Sequence, residues 1–192
     1  NMKITQEFYN KLEARYPYGA ITQQAVLDTA YAYWKSNEPE MAMVYCDRFI
    51  REHPKHQKVD YAYYLKGLIT FNDKLGILGI IGNQDLSDRD SEGNKKSYDA
   101  FSTLVTQFPN SIYAADAKMR LRYLVYTLAA HEANIAEFYF ERNAYVAALQ
   151  RASFVIKSYP ETPAVERALA VMLQSYRQLN MADLYMDTKK IL

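Results

Sequence analysis

The sequence contains few of the residues that build tight turns and cross-links. Its 192 residues include one cysteine, six glycines and six prolines. This scarcity of glycine and proline disfavours an all-β domain, which needs many tight turns, and it suits long helices. The single cysteine, Cys46, cannot form an internal disulfide, and its apolar neighbours in residues 42–46 predict a buried thiol.

The sequence also lacks a strong charge of one sign and a long hydrophobic run. There are 23 Lys and Arg residues against 22 Asp and Glu, which leaves a net charge of +1. A nucleic-acid partner is therefore not expected, because it would require a basic excess on one face. No apolar run approaches the ~20 residues that a membrane-spanning helix requires. The chain opens at Asn1 directly in a helical pattern, so we expect the natural protein to begin earlier, with its targeting segment.

A motif around four prolines recurs along the chain. Each proline follows an aromatic ring, has a large apolar residue five positions earlier, and has an alanine eight positions later. The prolines are Pro17, Pro54, Pro109 and Pro160, and the rings are Tyr16, His53, Phe108 and Tyr159. The large apolar residues are Leu12, Phe49, Leu104 and Val155, and the alanines are Ala25, Ala62, Ala117 and Ala168. A recurring unit of helix, turn and helix is typical of an α-solenoid.

We predict an all-α fold, an α-solenoid of tetratricopeptide-like helix pairs, with about five repeats of which the first is truncated. The whole chain, residues 1–192, is predicted to form a single tetratricopeptide-repeat domain. Predicted helices cover 3–15, 20–36, 39–52, 57–74, 93–107, 111–140, 144–158, 163–178 and 182–191. The helix over 111–140 is overlong for such a repeat. Three glycines in the apolar segment 75–82, followed by polar turn residues, predict an insertion over 75–92.

No group of residues predicts catalysis, a metal or a cofactor. His53 and His56 lie in a turn without an obvious fourth ligand, so His53 is expected only to take the ring position of its repeat. Glu132, Glu137 and Glu141 lack the Glu-x-x-His spacing of a di-iron site and are interpreted as a solvated helix face. Nucleophile elbows, phosphate loops and catalytic triads are also missing, which disfavours an enzyme.

Several segments resemble the BamD family of outer-membrane assembly lipoproteins. They include Tyr16-Pro17-Tyr18-Gly19, Ala30-Tyr31-Ala32-Tyr33, Asp47-Arg48-Phe49-Ile50-Arg51, Ser87-Asp88-Arg89-Asp90 and Ala136-Glu137-Phe138-Tyr139. The likeness extends, in order, over nearly the whole chain and includes the insertion. It implies a non-enzymatic scaffold on the periplasmic face of a Gram-negative outer membrane, anchored only through an N-terminal lipid. The lipidated cysteine of the family has no counterpart in this sequence.

The resemblance also implies partners and site residues. Members of the family belong to the BAM complex, which folds β-barrel proteins into the outer membrane. They contact the POTRA domains of BamA and, in many species, the lipoproteins BamC and BamE, and they receive unfolded barrel precursors. Tyr16, Tyr31, Tyr33 and Arg151 are accordingly expected to bind the C-terminal signal of a precursor. Arg142 and Arg151 are expected to dock BamA.

Each of these residues also has an ordinary structural interpretation. Tyr16 could simply close its repeat as the ring before a proline, and Arg151 could be a solvated arginine on the flank of its helix. Arg142 could cap the carbonyl groups of the preceding helix. The chain as a whole could be a generic repeat adaptor in another periplasmic or soluble complex. If the family role holds, tyrosine rings would bind an extended peptide with little loss of rotamer entropy, while Arg or Lys holds its carboxylate.

Overall fold

The computed structural model describes residues 19–71 and 91–192, together with residues 7, 9, 11, 12, 14 and 15. These residues form helices and turns and contain no strand, which confirms the all-α prediction. The helices are α1 (Ala20–Lys35), α2 (Pro39–Glu52), α3 (Val59–Thr70), α4 (Ser91–Gln107), α5 (Ala114–Glu141), α6 (Tyr145–Ser158), α7 (Ala164–Gln178) and α8 (Ala182–Ile191). The predicted insertion over 75–92 lies outside the described residues except at its last two positions.

The described residues divide into two compact units. The first unit contains the described residues up to 71 together with residues 92–121, and the second contains Ser91 and residues 122–192. In the first unit α1 packs on α2 and α3, and α2 packs on α3; in the second unit α6 packs on α7, and α7 on α8. This packing of each helix on the next is the tetratricopeptide-like arrangement predicted from the sequence. A single domain over 1–192 stays a prediction.

The proline motif forms the turns that enter α3, α5 and α7. In each turn the backbone N–H of the ring residue donates to the carbonyl of the large apolar residue of the motif. These bonds are His53 to Phe49 at 2.8 Å, Phe108 to Leu104 at 2.8 Å, and Tyr159 to Val155 at 2.9 Å. The three apolar residues are completely buried, and so are the alanines of the motif, Ala62, Ala117 and Ala168. The motif therefore specifies both the turn and the core beneath it, and His53 takes the ring position as predicted.

A different turn joins α1 to α2, α5 to α6, and α7 to α8. Each of these turns contains an asparagine in the left-handed region, with φ of 63° at Asn37, 60° at Asn143 and 56° at Asn180. Asparagine tolerates this conformation better than most residues. The residue after the asparagine donates to a tyrosine carbonyl five positions back, as Glu38 does to Tyr33 at 3.0 Å. Asparagine thus ends these helices in a sequence that has little glycine.

The two units have different cores. Aromatic and large aliphatic side chains dominate the first core, which consists of Tyr9, Val26, Leu27, Ala30, Tyr33, Ala42, Tyr45, Cys46, Phe49, Val59, Ala62 and Leu65. The second core consists of Ala129, Ala133, Ala136, Ala148, Ala152, Val155, Ala164, Ala168 and Val171. Cys46 is completely buried, as predicted. Gly67 allows α4 to approach closely, because the ring of Phe101 occupies the space that a Cβ atom would need.

Candidate functional site

A cluster of three tyrosines, Tyr61, Tyr64 and Tyr113, lies on the first unit. Tyr61 and Tyr64 are one turn apart on α3, and Tyr113 directly precedes α5. The ring centroids of Tyr64 and Tyr113 are 4.7 Å apart in a stacked arrangement, and those of Tyr61 and Tyr113 are 5.5 Å apart. All three rings are half-buried. The rings therefore form a continuous aromatic surface that is partly open to solvent.

Carboxylates hold this tyrosine cluster in place. The hydroxyl of Tyr64 donates to Asp116 Oδ2 at 2.7 Å, and Arg120 Nε donates to the same oxygen at 2.6 Å. Burial alone would raise the pKa of Asp116, but the hydrogen bonds from Arg120 and Tyr64 outweigh it and lower the pKa below its usual value. Ser111 Oγ, two residues before Tyr113, donates to Asp60 Oδ2 at 2.6 Å. The rings are thus fixed before any ligand arrives.

The hydroxyl of Tyr61 is held in its neutral form. Burial, with smaller contributions from its neighbours Tyr113 and Tyr31, raises the pKa of Tyr61 to about 12. The Tyr61 hydroxyl is therefore available as a hydrogen-bond donor over the whole physiological pH range.

The predicted signal-binding tyrosines occupy different environments. Tyr31 is 43% exposed, and its ring meets Trp34 edge-on at 5.8 Å, with Lys35 Nζ 5.5 Å from the ring centroid. Tyr33 is only 4% exposed and stacks on Tyr45 in the core at 5.4 Å. Tyr31 thus offers a surface, whereas Tyr33 packs the first unit, and the binding role of Tyr33 stays a prediction. Tyr16 lies outside the described residues.

Arg151 links α6 to α5 in the second unit. Its Nη1 atom donates to Glu132 Oε2 at 3.1 Å, and the side chains of Arg151 and Glu132 are 46% and 17% exposed. A second arginine makes a comparable link, because Arg167 on α7 binds Glu137 through Nε at 2.9 Å and Nη2 at 2.6 Å. The two glutamates, interpreted from the sequence as part of a solvated helix face, are partly exposed and also take part in ion pairs between helices.

Arg142 stacks on an exposed aromatic ring. Its guanidinium carbon is 3.5 Å from the ring centroid of Phe138, which is 47% exposed and lies four residues earlier on α5. Arg142 donates through its backbone N–H to the Tyr139 carbonyl at 3.2 Å, while its side chain covers the ring. Phe138 was not singled out from the sequence, although its i, i+4 spacing from Arg142 would have indicated the contact.

Neither a metal centre nor a membrane-spanning element is found in the described part of the chain. No three His, Cys, Asp or Glu side chains of residues 19–71 and 91–192 are grouped so that they could hold a metal ion. Within the same residues, no helix is both long and apolar enough to span a bilayer.

Comparison with known proteins identifies the family. A family model described as "Outer membrane lipoprotein", YfiO, matches residues 2–191. The chain is 45% identical to outer membrane protein assembly factor BamD of Neisseria meningitidis serogroup B, over 97% of this chain and 70% of that protein. It is 37% identical to the protein of the same name from Xylella fastidiosa strain Temecula1, over 96% of this chain and 63% of that protein. The Vibrio cholerae protein is 35% identical, over 94% of this chain and 75% of its own length. The chain therefore belongs to the BamD family of outer membrane protein assembly factors.

Proposed function

We propose that the chain is a non-enzymatic scaffold of the machinery that assembles β-barrel proteins in the outer membrane. The main support is that assembly factors named BamD match nearly the whole chain. The Neisseria meningitidis protein, for example, is 45% identical over 97% of this chain. In this role the second unit docks the POTRA domains of BamA, and the tyrosine surface of the first unit receives unfolded barrel precursors. BamC and BamE are further partners where a species has them, and an N-terminal lipid supplies the membrane anchor.

The first unit is suited to receive an extended apolar peptide. Tyr31 and the tyrosine cluster present rings with few rotatable bonds, so little side-chain entropy is lost when a peptide packs on them. Asp116 and Asp60 already restrain this surface through Tyr64 and Ser111, so less ordering is required on binding. The neutral Tyr61 hydroxyl can donate a hydrogen bond to a peptide carbonyl. We therefore assign precursor binding to Tyr31 and this cluster, and Tyr16 is included by resemblance.

The second unit is suited to dock a folded domain. Aromatic residues and arginine are enriched where protein interfaces concentrate their binding energy. Phe138 and Arg142 combine the two in one exposed stack, with the guanidinium group already held on the ring. Arg151 adds a second exposed guanidinium on α6. We assign Phe138, Arg142 and Arg151 to the surface that docks BamA. By resemblance, Arg151 is also assigned to binding the C-terminal signal of a precursor.

Titration calorimetry with the POTRA domains of BamA from the same organism tests this docking surface. We expect saturable binding that Phe138→Ala weakens by about thirtyfold, the effect of losing a central interface residue worth about 2 kcal/mol. Tyr126→Ala is the matched control, because Tyr126 is also an aromatic residue of α5 and is 42% exposed, close to the 47% of Phe138. This control variant should bind like the parent protein.

Two outcomes of this experiment would contradict the proposal in different ways. Binding by Phe138→Ala as tight as that by Tyr126→Ala and the parent would show that the docking surface lies elsewhere on the chain. The absence of saturable binding at both low and moderate salt would contradict docking itself and would favour a generic repeat adaptor. Melting curves of each variant establish that a loss of binding does not reflect a loss of fold.

A further inference from the structure

The two arginines that link helices in the second unit use their guanidinium groups differently. Arg167 engages both oxygens of Glu137 through Nε and Nη2, and it also binds Asn134 through Nη2. Arg151 donates through Nη1 alone, to one oxygen of Glu132. Among the residues that the structure describes, Glu132 is the one hydrogen-bonding partner of Arg151. The edge of Arg151 formed by Nε and Nη2 is thus unused by the described residues.

A guanidinium edge whose N–H groups have no hydrogen-bonding partner can bind a carboxylate. The group is planar, and its Nε and Nη2 hydrogens point in parallel, so they match the two oxygens of a carboxylate. A free arginine side chain would lose rotamer freedom when it formed such a pair. Glu132 removes much of this cost in advance, because it holds Nη1 and thereby restrains the plane of the guanidinium group. Glu132 is well placed for this role, since it is largely buried and lies on the neighbouring helix α5.

The surroundings of Arg151 favour the end of a peptide chain over an isolated acidic side chain. Phe154 lies three residues further along α6, adjacent to Arg151 on the helix surface, and is 44% exposed. Phe154 also lines a shallow surface groove together with Val146, Leu149 and Ser153. A C-terminal residue with an apolar side chain presents a carboxylate and an apolar group side by side, and it can therefore contact Arg151 and Phe154 together.

We propose that Glu132 is a positioning residue, which orients Arg151 so that its Nε and Nη2 atoms bind the C-terminal carboxylate of a barrel precursor. This inference rests on the proposed function, in which precursors are received, and it names the group of the precursor that is recognised on the second unit. Glu132 does not itself touch the ligand in this arrangement. Its conservative replacement by glutamine keeps an oxygen that can accept from Nη1, whereas alanine removes it.

The experiment compares two forms of one short synthetic peptide of alternating apolar and polar residues that ends in phenylalanine. One form has a free C-terminal carboxylate, and the other has a carboxamide. The ratio of the two dissociation constants isolates carboxylate recognition from all other contacts. We expect the parent protein to prefer the free acid by about tenfold, a typical value for a charge-assisted hydrogen-bonded pair. Arg151→Gln should bind both forms equally.

The variants at position 132 test the inference itself. Glu132→Ala should reduce the preference to about threefold or less, and Glu132→Gln should restore most of it. Glu137→Ala is the matched control, because it removes the other ion pair between helices, and it should leave the preference intact. Circular dichroism at the temperature of the binding experiment checks that each variant is folded.

The outcomes separate this inference from the proposed function. If Glu132→Ala prefers the free acid as strongly as the parent while Arg151→Gln does not, the positioning role is refuted and the role of Arg151 stands. If Glu132→Ala and Glu137→Ala lose the preference equally, the effect is structural and the inference fails. If the parent protein binds neither form, or if Arg151→Gln retains the preference, the assignment of Arg151 to precursor binding is wrong. The positioning role of Glu132 is then refuted as well.

Discussion

In the first unit aromatic rings fill the space between the helices, whereas in the second unit alanine side chains do so. Tyr33, Tyr45 and Phe49 occupy the interior of the first unit. In the second unit seven alanines and two valines form the core, so the backbones of α5, α6 and α7 approach closely. Small side chains leave little apolar surface to bury, and ion pairs from Arg151 and Arg167 to α5 supplement the packing.

The two units also differ in the aromatic residues that they expose. In the second unit Tyr139, Phe140 and Tyr159 pack against the alanine core, while Phe138 and Phe154 remain nearly half exposed. In the first unit the exposed aromatic surface consists of tyrosines, whose hydroxyl groups are compatible with water. The second unit therefore exposes phenylalanine rings, whereas the first exposes tyrosine rings that carry a polar hydroxyl group.

The largest expected effect comes from making a large core residue small in the first unit. Phe49→Ala should lower the free energy of unfolding by about 3–5 kcal/mol, because the ring is completely buried and its removal leaves a cavity. Urea unfolding followed by fluorescence measures this unit directly, since Trp34 is the only tryptophan of the chain and packs against the same core. Phe154→Ala is the control and should change stability by less than about 0.5 kcal/mol. A loss below about 1 kcal/mol for Phe49→Ala would contradict this account of the first core.

A smaller effect is expected from making a small core residue large in the second unit. Ala152→Leu should lower the free energy of unfolding by about 1–3 kcal/mol, because the added atoms must force apart helices that are already in contact. Urea unfolding followed by far-ultraviolet circular dichroism measures the loss. Gln150→Leu adds a leucine at an exposed position of the same helix and should have little effect. Equal stability of the two variants would mean that the alanine core can hold a leucine without strain, which would contradict close packing of these helices.

The smallest effect concerns alkaline pH and should arise in the first unit. Burial raises the pKa of Tyr61 from its ordinary value of 10.0 to about 12, so the unfolded chain loses this proton at lower pH than the folded protein does. The contribution of Tyr61 to stability is therefore complete below pH 10 and is lost as the pH rises from 10 to 12. Burial also raises the pKa of Tyr64 and Cys46, which act in the same direction.

The loss of stability at alkaline pH is measured as the difference between the urea midpoints of Trp34 fluorescence at a pH of about 9 and of about 11. Tyr61→Phe should reduce the difference between the two midpoints, because phenylalanine does not titrate. Tyr126→Phe, on the second unit, should leave it unchanged. An unaltered difference in Tyr61→Phe would show that Tyr61 is not the titrating group.

Features that depend on neighbours in the sequence could be predicted well. The bounds of α2 and α8 match the predicted ranges 39–52 and 182–191. Buried positions such as Phe49, Val155 and Ala168 followed from their distance to a proline, because one helical period links the turn to the core face. Tyr31 and Tyr33 could have been separated in the same way. Residues two apart on a helix point to nearly opposite sides, so one ring is exposed when the other is buried.

Features that depend on distant partners could not be predicted. Glu132 and Glu137 are 19 and 30 residues from the arginines that bind them, and their pairing depends on how α6 and α7 are placed against α5. The hydrogen bond from Tyr64 to Asp116 spans 52 residues. Single-sequence periodicity indicates which face of a helix is buried, but it does not indicate which residue of another helix will lie opposite.

The burial of Cys46 has a consequence for the redox chemistry of the protein. An unpaired, accessible thiol in an oxidising compartment can join two copies of a chain through an intermolecular disulfide. In the folded protein Cys46 is completely enclosed, and burial raises its pKa to about 12, so the reactive thiolate is scarce. The thiol is therefore open to oxidation only before the first unit has folded, and folding itself keeps the protein free of disulfide-linked dimers.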